Sequence, residues 1–229
     1  MPKIAMWSGP RNLSTAMMYS FGNRSDLCVW DEPFYAAYLA ATGINHPMRD
    51  TVLAKGTTNP IDVADQIRAT GDGVFLKLMS FHMVDGFPLD WAEEFTHIHL
   101  LRHPARVIAS YTAKRENPKL DDIGFNRQLE ICHQFPGPVI SSHSIRATPR
   151  QSLQKLCAKI GIGWEEAMLA WPKGPKPYDG VWAPHWYDAV HRSTGFAEPE
   201  GALPTLTGDQ KLLLDAAMPA YRELEALLI

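Results

Sequence analysis

"SGPRNLSTA", Ser8–Ala16, follows the apolar run "KIAMW", Lys3–Trp7, and passes into a helical pattern that stops at Gly22. A strand that ends in a turn and hands over to a helix aims successive backbone N–H groups at one point, with the positive end of the helix dipole behind them. Gly9, Pro10, Arg11, Asn12, Leu13, Ser14 and Thr15 therefore form a candidate anion cradle, in which Arg11 adds a fixed positive charge and the Ser14 and Thr15 hydroxyls add donors. The alternative is a tight turn with Ser14 as a plain N-cap. A Walker loop would place Gly and Lys where Ser14 and Thr15 stand, which argues against triphosphate chemistry of that kind.

Outward from this loop, further apolar runs begin at Leu27 ("LCVW"), Gly73 ("GVFLKLM"), Thr96 ("THIHLL") and Pro138 ("PVISS"). Helical patterns separate them: "ADQIRAT" before Gly71, "PARVIASYTAKR" from Pro104, and "QSLQKLCAKIG" with apolar positions at Leu153, Leu156, Cys157 and Ile160. This alternation predicts an α/β fold, a three-layer α/β/α sandwich around a mostly parallel sheet whose strands end near one binding edge. The closing "LTGDQKLLLDAAMPAYRELEALLI" predicts a helix with Thr207 and Gln210 spaced as a capping box and a kink or break at Pro219.

With 229 residues, 45% of them hydrophobic, the chain suits one domain with one sizeable core. Two stretches resist the alternation and are expected as irregular insertions, near 36–60 and 171–200. A net charge of −3 argues against a broad nucleic-acid or anionic-membrane surface and leaves room for a local basic pocket. Cys28, Cys132 and Cys157 are odd in number, far apart and without metal-ligand spacing, as expected of free thiols in a reducing compartment. No window has the continuous apolar length of a signal peptide or membrane span, so a cytoplasmic protein is expected.

A second element bears on the first. In "HIHLLRHPARVIASY", Arg102 ends an apolar strand and Ser110 follows eight residues later, about two turns into the helix that Pro104 begins. The pair is placed to bracket a second phosphate. Together with "PRNLST", this resembles the sulfotransferases that use 3′-phosphoadenosine-5′-phosphosulfate, PAPS. In that family a loop usually reading P-[KR]-S-G-T-T binds the 5′-phosphosulfate, while an arginine and a serine eight residues apart bind the 3′-phosphate. The likeness runs over roughly residues 3 to 115, with "SIRATPRQSLQKLCAKIGIGW" similar to a later helix and turn, and departs at Asn12-Leu13, where the family usually has Ser-Gly.

The resemblance implies a P-loop NTPase-like architecture, PAPS as donor with no metal, and transfer of a sulfuryl group to a hydroxyl or amine. Arg11 would steady charge on the leaving 5′-phosphate. Glu32, just beyond the second strand in "VWDEPFY", is the first candidate for the base; strand alternation would turn Asp31 the other way. Lys77 sits where the cytosolic members carry a K-T-H lysine and can contact the transferring group; His82 is a second base candidate if the chain bends after the strand. Arg192, with Lys173 and Lys176, falls in the late segment that often closes over the nucleotide in this family.

Each candidate has a plainer role as a cap, salt-bridge partner or surface charge. His97 and His99 share one strand face and are expected to serve packing. Phe34, Tyr35, Tyr38, Phe81, Trp182, Trp186 and Tyr187 favour a small, partly apolar acceptor pocket. No nucleic-acid or membrane partner is expected, and a homo-oligomer is compatible with the sequence. A P-loop nucleotide kinase or phosphotransferase and a non-catalytic nucleotide-binding module remain as alternatives.

Overall fold

The computed structural model describes residues 1–113 and 118–229. Five strands, β1 (Lys3–Ser8), β2 (Cys28–Asp31), β3 (Val74–Met79), β4 (Thr96–Leu101) and β5 (Val139–Ser141), form one sheet in the order β2-β3-β1-β4-β5. Every pairing is parallel. Near-continuous apolar runs are what a parallel sheet covered on both faces requires. The strands occupy the five expected places, with boundaries shifted by a residue at most on each side.

Side chains alternate across the sheet and so divide the core. Ile4, Met6 and Phe75 join Met17, Met18 and Phe21 of α1 (Ser14–Gly22) on one face. Tyr35 and Leu39 of α2 (Tyr35–Thr42) belong to the same cluster, as does Val52 of α3 (Arg49–Lys55). Ala5, Trp7, Leu76 and Leu78 point to the opposite face, against Val63 and Ile67 of α4 (Pro60–Arg68). A third cluster joins Val107 and Ile108 of α5 (Pro104–Thr112) to Ile123 of α6 (Leu120–Ile123) and Cys132 of α7 (Phe125–Gln134). The expected continuation of the α5 helix over Lys114 and Arg115 lies outside the described residues.

Beyond β5 the chain forms α8 (Ser142–Ala147) and α9 (Pro149–Lys159), whose Leu153 and Leu156 pack on the first face. Two short helices, α10 (Ala183–Trp186) and α11 (Asp188–His191), interrupt the otherwise irregular late segment before α12 (Gly208–Glu225). The layers are thus helix, sheet and helix, as the alternating pattern predicts.

Three expectations are corrected. Residues 36–60 are largely helical, because "YAAYLAA" is buried on nearly every side and so carries no amphipathic period to reveal it. The break expected as one alternative at Pro219 does not occur: helix α12 runs uninterrupted from Gly208 to Glu225, and burial of Ala217, Ala220, Tyr221 and Leu224 holds it in place. Thr207 makes no side-chain cap, and Gln210 donates instead to the Thr112 hydroxyl at 3.3 Å. Among the described residues, no helix is long and apolar enough to cross a membrane.

Gly9 has a packing role. A Cβ there would meet the Ile123 carbonyl oxygen at 2.8 Å, whereas at Gly71 it would meet nothing within 4 Å. Gly9→Ala is expected to destabilise the protein by ~1–3 kcal/mol through this clash, with Gly71→Ala near neutral. Urea unfolding checks both, and equal midpoints would contradict the close approach.

Candidate functional site

The β1–α1 loop gets its shape from the backbone. Arg11 (φ 56°) and Leu13 (φ 63°) both adopt the left-handed conformation, which costs any residue with a Cβ energy that glycine does not incur. Leu13 accepts that geometry while its side chain packs against the first core. It is the N-cap of α1, and because leucine has no acceptor, no side chain caps the helix. The first-turn N–H groups that side chains usually satisfy are left for another partner. Ser14 is therefore inside the helix and does not act as the N-cap.

Asn12 is a strut: its Nδ2 donates to the Leu100 carbonyl at 2.6 Å, tying the loop to β4. Arg11 Nε donates to the Ser110 hydroxyl at 3.0 Å, and Arg102 donates to the Arg11 carbonyl oxygen at 2.5 Å. The two sequence elements thus meet in space. Burial and the neighbouring Arg102 lower the Arg11 pKa, as expected for two guanidinium groups held close together in a partly buried place.

Opposite the loop lies a buried ammonium. Lys77 and Asp31 are register partners on β3 and β2, and in a parallel sheet partners share a face. Lys77 Nζ, 1% exposed, donates to Asp31 Oδ1 at 3.0 Å, Glu32 Oε1 at 2.5 Å and the Tyr187 hydroxyl at 2.6 Å. Tyr187 in turn donates to Asp31 at 2.8 Å and accepts from Trp182 Nε1 at 3.1 Å. The Gly180 N–H completes the Asp31 carboxylate at 3.0 Å.

The expectation that Asp31 and Glu32 point apart is corrected. Glu32 has φ 43°, so the extended alternation ends at Asp31 and both carboxylates reach the same ammonium. Burial raises the Glu32 pKa, with Asp31 adding to the rise and Lys77 opposing it. Burial alone would lower Lys77; the Asp31 and Glu32 carboxylates override it and hold the ammonium above its ordinary value.

His82 enters as the bend anticipated for it: a 3₁₀ turn over Ser80–His82 follows β3 and swings the ring back. It stacks on Tyr35 and Tyr38, each 4.7 Å between centroids, and its Nδ1 lies 4.0 Å from Glu32 Oε2. Burial, helped by His46 and Lys77, keeps its pKa well below the usual value, so the imidazole is neutral.

One cavity of about 310 Å³ joins these parts. Pro10 to Thr15, Arg102 and Ser110 line one end; Glu32, Lys77 and His82 line the other. Tyr35, Phe81, Trp182, Trp186 and Tyr187 supply apolar wall from the expected aromatics. Phe34 instead packs in the second core against Trp91, and Tyr38 backs His82. Gly9 supports the loop from behind. Arg192 is not among the lining residues; it is exposed and paired with Asp188 one turn earlier on the surface.

His97 accepts from Trp7 Nε1 at 3.0 Å through Nδ1 and bonds the Ala92 carbonyl through Nε2; His99 Nε2 bonds the Phe135 carbonyl at 2.9 Å. Both serve packing. Motif reasoning missed Arg106 and Arg146, which converge with Arg102 on the Glu200 carboxylate. The only signal available was Arg106 standing one helical turn beyond Arg102.

The family described as "Sulfotransferase domain" matches residues 2–227. Two Arabidopsis thaliana proteins named branched-chain-amino-acid aminotransferase-like protein 1 and 2 are 36% and 34% identical over 97% and 96% of the chain. The chain spans 41% of the length of each of these curated relatives. Among solved structures, the sulfotransferase domain from the curacin biosynthetic pathway is similar at TM-score 0.56 and 16% identity, covering 96% of this chain and 98% of that one. The sulfotransferase domain from the Synechococcus PCC 7002 olefin synthase is similar at TM-score 0.52 and 18% identity, covering 94% of each.

Lys77→Met would leave two buried carboxylates facing one another without a counter-ion. It should cost ~3–5 kcal/mol in urea unfolding at neutral pH; a loss below ~1 kcal/mol would show that the ammonium is not a structural centre.

Proposed function

We propose a reaction for this chain, which belongs to the sulfotransferase family: transfer of a sulfuryl group from PAPS to the hydroxyl or amine of a small, partly apolar acceptor. The observation that carries it is that the uncapped, left-handed β1–α1 loop and the Arg102–Ser110 pair share one cavity with a buried carboxylate at its far end.

The residues fit the nucleotide. The free N–H groups at the start of α1, with Arg11, Ser14 and Thr15, suit the 5′-phosphosulfate, and Arg102 with Ser110 suits the 3′-phosphate. When bound, PAPS supplies an activated sulfuryl group whose departure leaves the nucleotide as a bisphosphate.

At the other end Glu32 serves as general base. Its Oε1 is held by Lys77, while Oε2 faces His82 Nδ1 at 4.0 Å, beyond hydrogen-bond reach, and is the oxygen available to an acceptor hydroxyl. With the donor bound, Glu32 Oε2 would take the proton from the acceptor's hydroxyl or amine as that atom bonds to sulfur and the 5′-phosphate leaves with the electron pair of the broken bond. Arg11 and the loop N–H groups hold the charge that collects on the 5′-phosphate. The neutral His82 and the rings of Tyr35 and Trp186 form a dry wall suited to an apolar or aromatic acceptor body.

Two outcomes follow. Glu32→Gln is expected to lower transfer from PAPS ~10²–10⁴-fold while leaving the affinity for 3′-phosphoadenosine-5′-phosphate unchanged; a large affinity loss would reassign Glu32 to nucleotide support. Because burial and Asp31 raise the Glu32 pKa and only its ionised form accepts a proton, kcat should fall with falling pH along a limb centred above the ordinary glutamate value of about 4.3. A limb at or below that value contradicts the assignment.

A further inference from the structure

Residues 197–203 are irregular, and Ala197, Glu198, Pro199, Gly201, Ala202 and Leu203 are all exposed. Glu200 is the exception: its side chain is 2% exposed and lies among three arginines. Arg102 reaches Glu200 Oε1 through Nε at 3.0 Å and its second terminal nitrogen at 2.5 Å, and Arg146 reaches the same oxygen at 3.1 Å. Arg106 Nε lies 3.3 Å from Oε2. Arg146 also donates to the Glu198 carbonyl at 2.7 Å and Arg106 to the Gly201 carbonyl. An exposed segment is thus fastened to the body by arginine contacts around one buried carboxylate.

The fit of that carboxylate is incomplete. Oε1 takes three hydrogen bonds and Oε2 none, only the ion pair with Arg106. Three positive charges face a single negative one. A phosphate dianion carries a second charge and a third terminal oxygen, and its geometry suits several guanidinium forks at once. Arg102 lines the cavity and also holds the Arg11 carbonyl, while Arg106 and Arg146, not among the lining residues, are joined to Arg102 through the Glu200 carboxylate. Departure of Glu200 would open the nest to the cavity.

We infer that Arg106 and Arg146 join Arg102 as the subsite for the second phosphate of the nucleotide, and that Glu200 is the resident counter-anion which this phosphate displaces. The inference rests on the nucleotide reading above and adds to it a built-in competitor. A site occupied by its own carboxylate lowers the apparent affinity of any anion that needs it, and leaves unchanged the binding of a nucleotide without a second phosphate, which does not compete with Glu200.

The test is calorimetric titration of the wild-type chain and of Glu200→Gln, which keeps the side chain's size, with 3′-phosphoadenosine-5′-phosphate and with adenosine 5′-phosphate. The variant should bind the bisphosphate about tenfold more tightly and the monophosphate equally. Arg146→Ala should weaken the bisphosphate alone. In the wild-type chain, a saturating amount of the bisphosphate should speed cleavage at Glu200 by a glutamate-specific protease, a measurement that requires no variant. If both proteins bind the bisphosphate but Glu200→Gln binds it equally or more weakly, or if cleavage is unchanged, displacement is wrong and Glu200 positions the arginines. If neither protein binds the bisphosphate, the nucleotide reading itself falls, and this inference with it.

Discussion

A lysine ammonium taken out of water must be given partners, and Lys77 is given three from two parts of the chain: the neighbours Asp31 and Glu32, and Tyr187. The demand explains much of the site. Parallel register puts Asp31 beside Lys77, a left-handed backbone at Glu32 turns a second carboxylate inward, and Tyr187 with Gly180 brings the late segment down over the sheet edge. Two carboxylates on one ammonium leave this end of the cavity negative, while Arg11 and Arg102 make the other end positive. On the proposed reading, this polarity would separate a donor anion from a proton-accepting base within one cleft.

Backbone strain is placed with the same economy. Among the described residues, four other than glycine have positive φ: Arg11, Leu13, Glu32 and Met48. The first three line the cavity. Such conformations persist only where surrounding contacts over-determine them, and they gather where function requires an unusual backbone. Here the Asn12 bond to β4, the Leu13 packing and the Lys77 bond to Glu32 supply those contacts. Leu13 shows that the turn tolerates a side chain whose packing compensates for the left-handed backbone.

The sheet was legible because buried parallel strands are short apolar runs bounded by turn residues, and "THIHLL" matches β4 residue for residue. The loop end of the cavity was legible because each of its two parts is a short stretch with fixed spacing, the six residues Pro10–Thr15 and the pair Arg102 and Ser110 eight residues apart, and the two line one cavity. The other end was only half legible. Glu32 and Lys77 could be chosen from their places at strand ends, but their shared ammonium depends on a reversed φ that no pattern of side chains reveals. The helix α2 escaped because it is apolar all round, and the exposed position of Arg192, paired with Asp188, was not legible because its stretch of sequence carries no clear period to orient it. Arg106, Arg146 and Glu200 come from three segments that meet only when folded, and each alone reads as solvated charge.

The central claim is that this cavity holds a nucleotide with a 3′-phosphate, and calorimetric titration with 3′-phosphoadenosine-5′-phosphate, with ADP and GDP in parallel and Arg102→Ala as control, tests it most directly. Selective binding of the 3′-phosphorylated nucleotide, lost in the variant, is the predicted result; equal binding of all three nucleotides, or none, would contradict it.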